Sequence, residues 1–488
     1  MSSTGILPDH SIAREGANHE TSPLLSQSDL GLIEESDYAD HSTEEQSLLR
    51  KLDKRMSILI LIYICNYIDR NNVAAARLEG FEEDLGLKGS QYASILSVLW
   101  ISYCIMQVPS NIFILDTKPS KYLPSCMMVW GVMSVCLGHF FGALCARFLI
   151  GFVEAAFFPG ALFLIAKWYK QSELSQRTAY LSSGSLVANA TGSLIASGIL
   201  KIMGNALGIA AWRWLFFVEG TLTVVLALLA CFILPDFPES PNPWLTPGER
   251  AIALKRIKKE AHEPDYVLPV GKASPFVLLI MAVSDWKVWY LAVTTGFLYL
   301  SLSFNAYFPS ITATLGFSPT VTLLLCAPPW IFATFTAILL SKHSDKAGER
   351  CKHISFSMAG GILGFSISMS TMNPALRYMS LFLMTQSYSG YIIFLAWASG
   401  SLAHPPAKRA VVLAILNTAG SLSNVPGSYA WPKEWGPDYS KSFAICIFAS
   451  SMCIILCWIF RRHLARLNAD ADKKEAERGL PKGHRYLL

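Results

Sequence analysis

The apolar stretches of this chain contain few ionisable residues, and four of them fall in two short strings. Asp69 and Arg70 occur in Tyr-Ile-Asp-Arg-Asn-Asn, and Arg147 and Glu154 in Arg-Phe-Leu-Ile-Gly-Phe-Val-Glu-Ala-Ala-Phe-Phe-Pro-Gly. A charge in hydrocarbon costs on the order of several kcal/mol unless it is paired or wet, so each is a functional candidate by default. Arg147 and Glu154 are seven residues apart, about two helical turns, which puts them on one face roughly 10 Å apart along the axis. That is too far for mutual neutralisation, so each needs a partner on another helix or an anion. Arg70 and Arg147 suit a fork for a carboxylate, while Asp69 and Glu154 suit the binding and release of protons. An anion on the arginines removes the charge that keeps a neighbouring acid ionised, which couples anion binding to protonation. The alternative is a static network holding two helices together, although buried ion pairs stabilise less well than apolar packing.

The second half of the chain has no such acids at the corresponding places. It offers Asn305 and Tyr307 on one segment, and Gln386, Tyr388, Tyr391 and Trp397 on another, which suit hydrogen bonding and ring stacking with the organic part of a substrate. Glu219 follows Trp212-Arg213-Trp214 and is expected to pair with Arg213 or to sit at a helix end. The eleven cysteines fall mostly in apolar blocks without a CxxC pair, and read as small buried hydrophobes. No metal-ligand cluster, nucleophile elbow or phosphate-binding glycine loop occurs, so neither an enzyme nor a cofactor or metal is expected.

The elements that must position these residues follow from composition. Of 488 residues, 52% are hydrophobic and 15% charged, against about 25% charged in soluble domains. Apolar blocks of about twenty residues match the length of a membrane-crossing helix. They fall near 56–76, 92–115, 122–141, 143–166, 177–202, 213–234, 288–313, 320–341, 353–371, 376–402, 409–431 and 441–460. The expected fold is an all-α membrane protein with twelve transmembrane helices in two pseudo-symmetric six-helix bundles. The bundles are expected over 50–234 and 288–462, with a central linker at 235–287 and a basic tail at 463–488. Residues 1–49 carry ten acids and one base and are rich in Ser and Thr, so this acidic tail is expected to be disordered. In the linker, Leu-Thr-Pro-Gly-Glu-Arg predicts a helix capped by Thr246, bearing the basic run Lys255, Arg256, Lys258 and Lys259.

Lys and Arg are concentrated in alternate short loops, which predicts that both termini are cytoplasmic. Two of those loops echo each other: Asp116-Thr-Lys-Pro-Ser-Lys121 and, 229 positions later, Asp345-Lys346-Ala-Gly-Glu-Arg350. Matching loops at matching places indicate a duplicated transporter.

These residues resemble the major facilitator superfamily, over positions from about 50 to 465. Asp345-Lys-Ala-Gly-Glu-Arg is close to that family's loop signature, and the 116–121 loop is a degraded copy without the glycines. The resemblance implies that Asp116, Lys121, Asp345, Lys346 and Arg350 gate the cytoplasmic side. The Asp-Arg-Asn string at 69–71, the Arg-x6-Glu string at 147–154, Trp-Arg-Trp-Leu-Phe-Phe-Val-Glu-Gly at 212–220 and Leu-Pro-Asp-Phe-Pro-Glu at 234–239 look like the anion:cation symporters, and most like the fungal allantoate permease branch. That likeness implies proton-coupled transport, with Asp69 and Glu154 as protonation sites and Arg70 and Arg147 as anion contacts.

The expected function is import of a small organic anion, such as a vitamin-like monocarboxylate, together with protons, by a monomer in the plasma membrane. Its partners are the anion, protons and the lipid bilayer, with no nucleic acid. A proton-coupled exporter and a nutrient-sensing receptor are the alternatives. The fifth segment, Ser-Gly-Ser-Leu-Val-Ala-Asn-Ala-Thr-Gly-Ser, lacks the Gly-Pro of drug antiporters, which weighs against export. The string Glu20-Thr-Ser-Pro-Leu-Leu25 resembles an acidic dileucine signal, so a vacuolar or endosomal membrane is a further candidate location.

Overall fold

The computed structural model describes residues 27–135, 140–204, 206–240, 242–261, 275–402, 406–478 and 485–488. The chain divides into two compact units, Met1–Lys51 and Leu52–Leu488. In the first, the dileucine-like string at 20–25 lies outside the described residues. From Gln27 onward the backbone is helical, which departs from the disorder expected over 1–49. The reason is that nothing between Gln27 and Leu49 breaks a helix: the stretch has no proline and a single glycine, Gly31. Asp29 also lies in the first turn, where the macrodipole favours a negative charge.

The described residues of each of the twelve expected spans fall largely on helices. We number them α1 (Gln27–Ala76), α2 (Gln91–Asp116), α3 (Pro119–Val135), α4 (Phe140–Glu154, resumed as Phe157–Trp168), α5 (Gln171–Met203) and α6 (Ala211–Ile233). In the second half are α7 (Trp286–Ser301, extended by Ser303–Tyr307 and Phe308–Ala313), α8 (Pro319–Ala347), α9 (Cys351–Ser370), α10 (Pro374–Gln386, resumed as Tyr388–Ser401), α11 (Pro406–Tyr429) and α12 (Ser440–Arg478). Among the described residues, seven helices are long and apolar enough to cross a membrane by length and composition alone. Several helices overrun their predicted spans, α1 and α12 by most, because hydropathy reports where apolar residues stop and not where the helix stops. The linker helix Pro247–Ala261 starts as expected, with a reciprocal capping box: the Thr246 amide donates to Glu249 Oε2 at 3.0 Å, and the Glu249 amide donates to Thr246 Oγ1 at 3.2 Å.

Packing repeats between the halves. α3 packs on α6 as α9 packs on α12, and α2 packs on α4 as α8 packs on α10. The two most extensive helix contacts between the halves are α2 with α11 and α5 with α8, and adding six to each helix number exchanges them. This is the pattern of two six-helix bundles related by a pseudo-two-fold axis. Large apolar side chains, Phe141, Phe232, Phe335, Leu339 and Phe356 among them, remain exposed around the bundles, as a hydrocarbon solvent allows.

Small residues set the closest approaches. A Cβ on Gly220 of α6 would lie 2.8 Å from the Gly131 carbonyl of α3, and one on Gly131 would lie 2.9 Å from Val224. At Gly151 of α4 a Cβ would run into the Leu99 carbonyl and the Ser102 hydroxyl of α2. Gly151→Ala is therefore expected to force α2 and α4 apart at a cost of about 1–3 kcal/mol. A lower melting temperature of the purified variant would register this.

Candidate functional site

A cavity of about 960 Å³, counting its opening to solvent, lies between the halves. It is lined by Tyr67, Arg70 and Asn71 of α1, Leu96, Leu99 and Trp100 of α2, Arg147 of α4 and Ser185 of α5. The second half contributes Tyr299, Ser303 and Asn305 of α7, Tyr388 and Tyr391 of α10, and Asn424 and Ser428 of α11. The helix interruptions at Leu302 in α7 and Ser387 in α10 sit next to lining residues, so side chains there emerge where the regular helix is relaxed.

Arg70 and Arg147 both reach this cavity, but their surroundings differ. Arg70 forms an ion pair with Glu154, and its guanidinium is enclosed by rings, with centroids at 4.6 Å (Trp100), 5.0 Å (Tyr67) and 5.5 Å (Tyr103). Arg147 is 1% exposed and donates a hydrogen bond of 3.3 Å to the Arg70 carbonyl. Its Nε has no hydrogen-bond partner, and no carboxylate pairs with it among the described residues. The cavity therefore holds one neutralised cation and one cation still lacking a counter-charge. A buried guanidinium in that condition favours an anion beside it.

The predicted residues divide into two groups. The cavity lining brings together Arg70, Arg147, Asn305, Tyr388 and Tyr391. Glu154, 2% exposed, sits behind Arg70, with its second oxygen unpartnered. Asp69 turns away from the cavity and accepts hydrogen bonds through Oδ2 from Trp130 Nε1 of α3 at 3.1 Å and Thr223 Oγ1 of α6 at 2.8 Å. As neighbours in one helix, Asp69 and Arg70 point about 100° apart, which separates their roles. Gln386 is buried between α10 and α9, where Nε2 donates to the Ser357 carbonyl at 2.8 Å. Trp397 donates to the Leu487 carbonyl at 2.9 Å. Neither lines the cavity, because each spends its polar group on a packing contact.

Tyr307 also lies elsewhere. Its hydroxyl donates to the Ser428 carbonyl at 2.5 Å, and its ring stacks on Trp431 and meets Tyr92 edge-on. It belongs to a closure at the end where α1 gives way to α2. There the Arg77 guanidinium stands over Tyr92 at 4.3 Å and pairs with Glu82 at 2.8 Å, and Lys433, from the loop between α11 and α12, pairs with Glu82 and Glu83 at 3.2 Å each. The Glu83 carboxyl is held below its usual range by a hydrogen bond from its own backbone, assisted by Lys433. The Lys433 ammonium is held above its usual range by its bonds to Glu82 and Glu83. Both shifts favour the charged pair at neutral pH, so the closure weakens in acid as Glu83 protonates.

At the opposite, basic end, each half is tied to itself. Arg177 pairs with Asp53 at 3.0 Å in the first half, and Arg350 with Asp345 at 2.5 Å and Arg461 with Glu349 at 2.8 Å in the second. Lys121 and Lys346 are exposed, and the side chain of Asp116 lies outside the described residues. Glu219 departs from its expected pairing: Arg213 stands over Trp212, while Glu219 is 2% exposed with neither oxygen partnered. Six residues apart, the two side chains point about 120° away from each other on the helix. Sequence reasoning missed the Tyr67, Trp100 and Tyr103 enclosure, the polar Asn71 and Asn424, and the Arg77 closure. Aromatic and amide residues inside apolar segments look alike whether they pack or line a cavity.

The family model described as Major Facilitator Superfamily matches residues 59–428. The chain belongs to the Major Facilitator Superfamily. An MFS-type transporter of Penicillium expansum, cnsO, is 28% identical over 89% of this chain and 86% of its own length. A putative tartrate transporter of Agrobacterium vitis is also 28% identical, over 89% of this chain and 99% of its own. Among solved structures, a D-xylose-proton symporter superimposes with a TM-score of 0.60 at 15% identity, covering 82% of this chain and 97% of that one, a likeness of fold. As a Major Facilitator Superfamily member the protein is a multi-pass membrane transporter of a small molecule.

Proposed function

We propose that this transporter imports a small organic anion together with protons, as a monomer of the anion:cation symporter type related to the allantoate permeases. The observation that supports this most is Arg147, a fully buried cation on the cavity wall without a carboxylate partner among the described residues. Glu154 acts as the proton carrier next to the anion. While ionised it neutralises Arg70, and when protonated it releases Arg70 to join Arg147 in holding a carboxylate. Tyr67, Trp100, Tyr388 and Tyr391 offer ring faces, and Asn71, Asn305 and Asn424 offer amides, to the rest of the molecule. Asp69 is a second protonation site off the cavity. Asp345, Lys346 and Arg350, with Asp116 and Lys121 in the other half, form the gating loops of the basic end, which faces the cytoplasm of a cell whose plasma membrane holds the protein. The relative named as a tartrate transporter is in keeping with an organic anion as cargo.

The test is uptake of a labelled panel of organic anions into permease-deficient yeast, in acidic and neutral medium, with and without a protonophore. Acid-stimulated uptake of at least one anion that the protonophore abolishes is expected. Export of a toxic compound by cells that take up no anion would contradict it.

A further inference from the structure

Glu219 is a buried carboxyl to which the cavity chemistry gives no task. One turn after it on α6 stands Thr223, whose hydroxyl donates to Asp69 Oδ2 at 2.8 Å, so Glu219 faces the same side of α1 as Asp69. The close approach of α3 and α6 at Gly131 and Gly220 seals this region, with Trp130 of α3 donating to the same Asp69 oxygen. Three of the four carboxyl oxygens, Asp69 Oδ1 and both of Glu219, are buried without a hydrogen-bond partner. Asn72, 4% exposed, turns its amide toward Glu219 without reaching hydrogen-bond geometry, so it offers Glu219 a neutral dipole and no counter-charge. The other titratable groups facing Asp69 are Arg147 and Glu154 of α4, with Cys65 of α1 facing both acids. Arg70, on the same helix, is already engaged by Glu154. No cation therefore pairs with Asp69 or Glu219 among the described residues. Two ionised carboxylates in so dry a place would each lack compensation, and a bound proton removes that cost.

We propose that Asp69 and Glu219 act as a carboxyl pair that carries one proton between them, a proton site behind α1 and separate from the anion cavity. Its use in transport rests on the symport reading above, where it supplies a second proton beside that of Glu154. Glu219 is then a positioning and proton-sharing residue and does not touch the anion.

Infrared pH titration of the purified full-length protein in liposomes tests this with no substrate added. The wild type is expected to show a protonated-carboxyl band that persists into neutral medium. Glu219→Gln should remove that band or move its loss to acid by at least about one pH unit, and Asp69→Asn should displace the same band. Should Glu219→Gln not express, Glu219→Asp is read by the same criterion. A band unmoved by either substitution, or lost in Glu219→Gln yet unmoved in Asp69→Asn, overturns the proposal. A wild type that shows the paired behaviour but imports no anion would leave the pair standing and count against the symport reading.

Discussion

Arg147→Ala is expected to reduce anion uptake by about a hundredfold or more, while leaving the protein at least as stable as the wild type. The first half of that expectation follows from charge. With Arg70 engaged by Glu154, Arg147 is the cation left to attract a carboxylate into the cavity, and its loss forfeits a charge-assisted bond worth about 1.5–3 kcal/mol along with the fork geometry. The second half follows from burial. Arg147 is 1% exposed and lacks an ionic partner among the described residues, so its charge is a burden on the folded state that alanine removes. Uptake rates and melting temperatures measured on the same variant check both. A loss of activity accompanied by a fall in melting temperature would instead mark Arg147 as a structural member of a static network. Arg147→Lys keeps the charge but loses the planar fork, so intermediate uptake is expected.

The second large effect concerns coupling. Glu154→Gln keeps the size of the side chain but removes the charge that occupies Arg70, so Arg70 stays free at every pH. Anion binding should become nearly independent of pH. Exchange of labelled for unlabelled anion should continue, and accumulation against a gradient should fall by the share that this proton supplies. Each coupled proton supports about tenfold accumulation per pH unit of gradient, and that tenfold is what the variant forfeits at this site. Counterflow in proteoliposomes separates the two abilities. If counterflow and accumulation are lost together, Glu154 holds the site together and does not carry its proton.

The fold was legible because each helix had to supply about twenty apolar residues, and hydrocarbon tolerates few exceptions. The spans could therefore be located from composition, and exceptions such as Asp69, Arg70, Arg147 and Glu154 announced themselves. Which of them meet was harder to read. The seven-residue spacing placed Arg147 and Glu154 on one face, but not that Glu154 would reach across to Arg70. The chain order Asp69-Arg70 suggested neighbours in one site, whereas the helical turn between them sends one to α3 and α6 and the other to the cavity. Tyr307 and Gln386 were misplaced for a related reason: a polar group on an apolar helix must satisfy itself somewhere, and a backbone carbonyl nearby serves as well as a substrate. The Arg77 closure was invisible because its partners, Glu82, Tyr92, Tyr307 and Lys433, come from separate parts of the chain.

That closure has a thermodynamic consequence. Lys433 and Glu83 are 66% and 63% exposed, so the bond between them lies within reach of mobile ions from the bathing solution, while Arg77 and Tyr307 are sheltered. At physiological ionic strength the screening length is about 8 Å, short enough to weaken the exposed pair and long enough to leave the sheltered part intact. Opening of this end is thus expected to cost two contributions, one fixed by packing and one adjustable by salt. Dilute surroundings are therefore expected to favour closure, and concentrated surroundings to lower the work of opening without altering the cavity itself.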